Sequence, residues 1–212
     1  MSGHFSFFKK QAFVFLLLSG ISLSAWAQES ESQETLFGDF TITNSGGYGG
    51  PAVRLSAISG DFAAFFGGYG GWYLNKRFMI GGGGFGLVNN LPVPLDMRVD
   101  PNLDLHYDMG YGGFMFEYVF NSDRILHLMT NVLVGGGGIE QDFEGLSDFS
   151  NTQSAFFVFE PGAHLEVNVA PFFRVAGGIT YRLVSGSDTV GIQDSDLSSM
   201  SVALSLKFGY FD

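Results

Sequence analysis

Glu160, His164 and Glu166 are spaced at even intervals within "FVFEPGAHLEVNV", and Arg174 and Arg182 lie eight residues apart in the next apolar run. Lys207 follows near the C-terminus, while Arg54 and Glu117 lie upstream. Even spacing places side chains on one face of a strand, so these acids and bases can face one another across neighbouring strands. Charges withdrawn from water into a narrow space must be paired. The expectation is a network of Arg54, Glu117, Glu160, His164, Glu166, Arg174, Arg182 and Lys207 that plugs an interior. A gated pore or small-ligand site built from exchangeable pairs is the alternative chemistry of the same residues.

Three other patterns invite a chemical reading, and each has a plainer one. Gly81, Gly83 and Gly86 in "FMIGGGGFGLVNN" satisfy G-x-G-x-x-G. A dinucleotide site needs a helix opening at the third glycine, but "LVNNLPVPLDMRVDP" follows, with three prolines that oppose one. Similar glycine pairs recur in "FFGGYGGWYLN", "YDMGYGGFMFEYVF" and "VLVGGGGIE", so the glycines belong to strands. His106, flanked by Asp104 and Asp108, is the best candidate for a general base, and its plain reading is a solvated polar residue. "EQDFEGLSD", from Glu140, alternates oxygen ligands but lacks the spacing of a calcium loop. No catalytic residue, metal or cofactor is expected.

The elements that must position the charges are strands. Eight runs have period-two character: Tyr48 to Ile58, Phe62 to Leu74, Phe78 to Asn89, Leu103 to Phe120, Ile125 to Ile139, Ala155 to Val169, Phe172 to Val184 and Met200 to Phe211. Alternation is clearest in the last three. Phe157, Phe159, Leu165, Phe173, Val175, Ile179, Tyr181, Leu204, Leu206, Phe208 and Tyr210 fall on the face opposite the charges. In strands two to four both faces carry aromatics and glycines, so no register is assigned, and a bulge at Gly112-Gly113 is one way for the faces to switch. Short connections ("NKR", "NSDR", Ala170-Pro171) alternate with long polar ones (Asn90 to Asn102, Glu140 to Ser154, Ser185 to Ser199); only Ser59-Gly60-Asp61 breaks the rule.

An eight-stranded barrel is only just wide enough for side chains to fill it. Two or three large apolar groups per strand would overfill that space, so glycine, alanine, serine and the charges are expected inside, and the aromatic face outside, in lipid. The predicted fold is all-β: an eight-stranded antiparallel up-and-down transmembrane barrel over residues 46–212.

The N-terminus fits that destination. Lys9 and Lys10 precede an apolar core from Ala12 to Leu18 and a small-residue site, Ala25-Trp26-Ala27, which is the layout of a cleaved secretory signal over residues 1–27. Residues 28–45 then form a polar periplasmic leader. With the two signal lysines removed, 8 basic residues face 21 acidic ones, a balance that disfavours nucleic acid as a partner. The chain contains no cysteine, which removes disulfides and thiol chemistry. Its 24 Phe, 8 Tyr and 31 Gly beside few charges favour strand over helix.

From Gly46 onward the chain resembles the small outer-membrane β-barrel proteins of Gram-negative bacteria, particularly the glycine- and aromatic-rich barrels common among Bacteroidetes. The residues that carry the likeness are "GGYGGWYLNKRFMIGGGGFGL", "FVFEPGAHLEVNV" and "ALSLKFGYF". The resemblance implies location in the cell outer membrane, with outer-membrane lipid and the barrel-assembly machinery as partners. The latter would read Phe208, Tyr210 and Phe211, although Asp212 departs from a strict terminal aromatic. A non-enzymatic structural, adhesive or surface-interaction role follows, with an extracellular partner that the sequence does not name. Because such barrels include lipid A deacylases and palmitoyltransferases, a lipid-modifying enzyme is one alternative. A soluble periplasmic ligand-binding barrel is the other.

Overall fold

The computed structural model describes residues 41–98, 100–142, 154–187 and 192–211. The expected signal segment, most of the leader, the middle of the Glu140 to Ser154 connection and Asp212 lie outside the described residues. Among those described, strands β1 (Ser45–Ile58), β2 (Asp61–Leu74), β3 (Phe78–Leu87), β5 (His106–Val119), β6 (Leu126–Asp142), β7 (Ser154–Ala170), β8 (Phe173–Ser185) and β9 (Ser199–Tyr210) form one antiparallel sheet. The two-residue strand β4 (Leu91–Pro92) pairs onto β5. β1 pairs with β9, and β3 with β5, so the sheet closes on itself as an eight-stranded barrel with neighbours in chain order.

The turn chemistry explains the tightest hairpin. Ile58 pairs with Asp61, leaving two loop residues, Ser59 and Gly60, both at positive φ (51° and 88°). That geometry matches the right-handed twist of the flanking strands. Its counterpart at the other end of the barrel is the Asn121–Arg124 turn, where Asn168 donates from its amide nitrogen to the carbonyls of Ser122 and Arg124. Beside it lies the register shift between Asn168 and Ala170. β5, by contrast, runs through Gly112 and Gly113 with unbroken register to both neighbours. The faces therefore do not switch there. The strand starts at His106 rather than Leu103 because a turn closed by Leu103 N–H to Asp100 O precedes it.

One sequence expectation about the interior needs correction. Glycines and charges are inside, but so are Phe65, Tyr69, Tyr73, Met79, Phe85, Met109, Tyr111, Met115, Met129 and Leu133. They fit because the inward residue directly across the ladder is often glycine: Tyr69 pairs with Gly83, Phe85 with Gly67 and Tyr111 with Gly137. Volume missing on one strand is filled from the next. A Cβ on Gly137 would lie 2.6 Å from both the Phe156 ring and the Tyr111 Cβ.

Candidate functional site

The lumen is where chemistry-bearing side chains converge, and they come mainly from β7, β8, β9 and β1. At the level nearer the short turns, Glu166 accepts from three donors: Lys207 Nζ at 2.5 Å, Arg174 Nη1 at 3.0 Å and His127 Nε2 at 3.0 Å. Lys207 also donates to Glu117 at 2.6 Å, and Tyr48 donates to the same Glu117 oxygen. Two carboxylates thus share one ammonium, and all four charged groups are buried. The Arg174 guanidinium lies 4.0 Å from the centre of the Phe211 ring. Phe211 itself is buried against Tyr48 and Tyr73, so the short-turn mouth ends on an aromatic ring.

At the level nearer the long connections, Arg54 donates to Glu160 at 2.5 Å and to the Tyr111 hydroxyl at 3.0 Å, and it stacks 3.5 Å from the Phe85 centroid. Thr180 donates to the other Glu160 oxygen at 2.5 Å. Arg182 is placed differently from the sequence expectation. It faces the lumen, but among the described residues it makes no ion pair. Its Nε donates to the Leu197 carbonyl at 2.8 Å and its Nη2 to the Ala57 carbonyl at 3.2 Å, over the Phe65 ring. Glu160 is turned instead toward Arg54 and Thr180. His164 likewise makes no ion pair among the described residues, its Nε2 meeting Asn131 Oδ1 at 3.3 Å.

The Leu197 carbonyl belongs to α1 (Asp194–Leu197), a single turn inside the β8–β9 connection. Leu197 and Ile192 are buried beneath it, and Ser59 N–H donates to the Asp196 carbonyl. The Asn90 to Asn102 connection folds inward as well, burying Leu91 and Val93, with Arg98 tied to the carbonyls of Val93 and Leu103. Outside the barrel segments, the Asp194 carboxyl is held below its ordinary pKa, chiefly by the Ser187 hydroxyl and then by the backbone N–H groups of Ser187 and Gly186.

The outward face is the complement. Phe157, Phe159, Leu165, Ile179, Tyr181, Leu204, Phe208 and Tyr210 are exposed. Phe173, Val175 and Leu206 share that face half-covered by neighbours, Phe173 stacking on Phe208 at 4.7 Å. His106, Asp108 and Glu140 also lie outward, at the long-connection ends of β5 and β6, where Asp108 pairs with Glu140. This places His106 at a rim and not in the lumen. Sequence reasoning missed Tyr48, Tyr69, Tyr111, His127, Asn131 and Thr180. His127 and Asn131 do carry a signal, because they share parity with Leu133 and Gly135 on one face of β6.

Enclosed charge, a closed antiparallel ring of eight strands and an apolar exterior with its described strand charges at the long-connection rim define an inside-out small barrel. Among solved structures the chain is similar to Neisserial surface protein A, with TM-score 0.54 and 11% identity over 79% of this chain and 98% of that one. It is also similar to the attachment invasion locus protein Ail of Yersinia pestis (TM-score 0.47, 15% identity, 78% and 96% covered) and to outer membrane protein H of P. aeruginosa (TM-score 0.47, 13% identity, 77% and 99% covered). At 11% identity the likeness to Neisserial surface protein A is one of fold. No protein-family model and no curated protein matches the sequence.

Proposed function

We propose that the chain is a non-enzymatic integral outer-membrane barrel of the glycine- and aromatic-rich Bacteroidetes kind, exported by its N-terminal signal, with a lumen closed by its charge network. Its long connections then present a structural or adhesive surface to the outside. One observation carries the reading: outward positions from Phe62 to Leu74 on β2, Leu126 to Gly138 on β6 and Ala155 to Val169 on β7 bear no charge, whereas seven charged side chains are buried inside. A soluble barrel would have the reverse polarity, and a lipid-spanning strand needs only about 9–11 residues, which strands of 10 to 17 residues provide.

The experiment is membrane fractionation of the expressed full chain, followed by reconstitution in planar bilayers. Recovery in the outer-membrane fraction, with detergent needed for extraction and no unitary conductance, is the expected result. Detergent-free recovery in the periplasm overturns the membrane reading, and stable open-channel currents overturn the closed lumen. A changed lipid A mass profile in cells expressing the protein would instead favour a lipid-modifying enzyme.

A further inference from the structure

The interior charges do not balance. Leaving the two buried imidazoles aside, there are four cations (Arg54, Arg174, Arg182 and Lys207) and three carboxylates (Glu117, Glu160 and Glu166) among the described buried groups. Nearer the short turns, Lys207 and Arg174 are matched by Glu117 and Glu166. Nearer the long connections, Glu160 serves Arg54 alone. The excess positive charge therefore sits at Arg182, which is 0% exposed. The pairings Phe159–Leu183 and Gly162–Thr180 bracket Glu160 and Arg182 at one level of neighbouring strands, yet Glu160 is turned to Arg54 and Thr180. A buried guanidinium needs a counter-charge, since carbonyl partners satisfy donors without neutralising it.

A second observation points to the same spot. Arg182 Nη1 is buried with no hydrogen-bond partner, and so is the Ser201 hydroxyl, 1% exposed. Ser201 pairs with Thr180, the inward residue next to Arg182 on β8, so both unpartnered donors lie on adjoining strands within reach of one diagonal neighbour contact. Apolar groups wall the region, with the Phe65 ring on the guanidinium and Leu197 buried above it.

We infer that Arg182 Nη1 and Ser201 Oγ hold a small monovalent anion of halide size, sealed in the lumen beneath α1. A dehydrated halide accepts from both donors and supplies the missing negative charge, and two donors beside the Phe65 ring suit one small spherical acceptor. The anion also completes the latch, because the same guanidinium ties α1 to β1 through the carbonyls of Leu197 and Ala57.

The test uses bromide as the probe on the full chain refolded in detergent. Crystals grown in bromide should show an anomalous peak within hydrogen-bond distance of Arg182 Nη1 and Ser201 Oγ. In reversible urea unfolding at constant ionic strength, with gluconate as the replacement ion, the folding constant should rise about tenfold per tenfold bromide above the dissociation constant. Ser201→Ala should weaken that dependence, and Arg182→Gln should abolish it. Should Arg182→Gln fail to fold, Ser201→Ala with the anomalous map decides. A water in place of the peak, Glu160 swung onto Arg182 Nη1, or a peak without bromide-dependent stability each overturns the inference; the last marks an adventitious ion only.

Discussion

The two sides of the lumen wall are built differently. β7, β8, β9 and β1 supply Glu160, Glu166, Arg174, Arg182, Lys207 and Arg54, separated by small or hydroxyl residues such as Ala176, Thr180, Ser201, Ala203 and Ser205. β2, β3, β5 and β6 supply mainly rings and methionines set against glycine, with Glu117 their one buried carboxylate among the described residues. The sides fit each other: Arg54 lies on Phe85, Arg182 on Phe65, and Lys207 faces the ring of Tyr69. A ring face attracts a cation and still packs as a hydrophobe. The apolar wall thus fills the volume and stabilises the charges of the polar wall, which explains how so many ions fit in one narrow barrel.

If the polar wall depends on specific partners and the apolar wall on volume, similar substitutions should differ in cost. Glu166→Leu removes the acceptor of Lys207, Arg174 and His127 and should cost about 3–5 kcal/mol, as breaking a buried ion pair usually does. Met115→Leu, at a fully buried site on β5, conserves volume and should cost under about 1.5 kcal/mol. Urea unfolding in liposomes measures both, and equal losses would erase the distinction between the walls.

The next effect sharpens the contrast between inside and outside. Val175 points outward between Arg174 and Ala176, both buried. Ile179 shares that face at the middle of β8, and Ile179→Arg should cost about 2–4 kcal/mol in a bilayer, where the charge sits near the midplane. In a detergent that lets the side chain reach water the loss should shrink. The same loss in both media would mean that this face is not in hydrocarbon.

These walls also differ in how plainly the sequence announces them. In β7 to β9 one face is charged or small and the other large and apolar, so period-two reading finds both faces and the strand ends to within two residues. In β2, β3 and β5 each face mixes glycine with aromatics. Only cross-strand complementarity, such as Tyr69 against Gly83, decides which rings turn inward, and a single strand does not contain that information. Arg182 shows the other limit. Its parity was legible, but its partners are backbone carbonyls of α1 and β1, set by a fold of the β8–β9 connection that no periodicity encodes.

Glycine on the apolar wall offers a finer probe. Gly137→Ala places a methyl against Phe156 and Tyr111 and should cost about 1–3 kcal/mol by overpacking. Gly86→Ala, outward on β3 with nothing within 4 Å of the new Cβ, should be neutral or stabilise by about 0.5–1 kcal/mol, because alanine loses less backbone freedom. Matched thermal unfolding of the two variants would reverse that order only if the inward glycines were not space-makers.

The smallest effect is expected in the cap, where the walls end. Asp194 accepts from Ser187 Oγ at 2.6 Å, Ser187 N at 2.8 Å and Gly186 N at 3.0 Å, fastening the start of α1 to the end of β8. Those bonds hold its folded pKa below the unfolded value. The stabilisation they give is therefore present above the ordinary aspartate range, near about 3.9, and is lost as pH falls through the lowered folded value. Asp194→Asn retains one acceptor oxygen and no charge, so it should loosen the cap slightly at neutral pH and remove the acid-dependent loosening. Amide hydrogen exchange at Gly186 and Ser187 reads this directly, with intrinsic exchange rates corrected for pH. In the native chain, protection should fall on acidification while that of the lumen strands is unchanged; in the variant it should start lower and stay flat. A parallel fall in both proteins would place the acid sensitivity elsewhere, with the cap held by its other contacts, those of Leu197, Ile192, Arg182, Ser198 and Ser59.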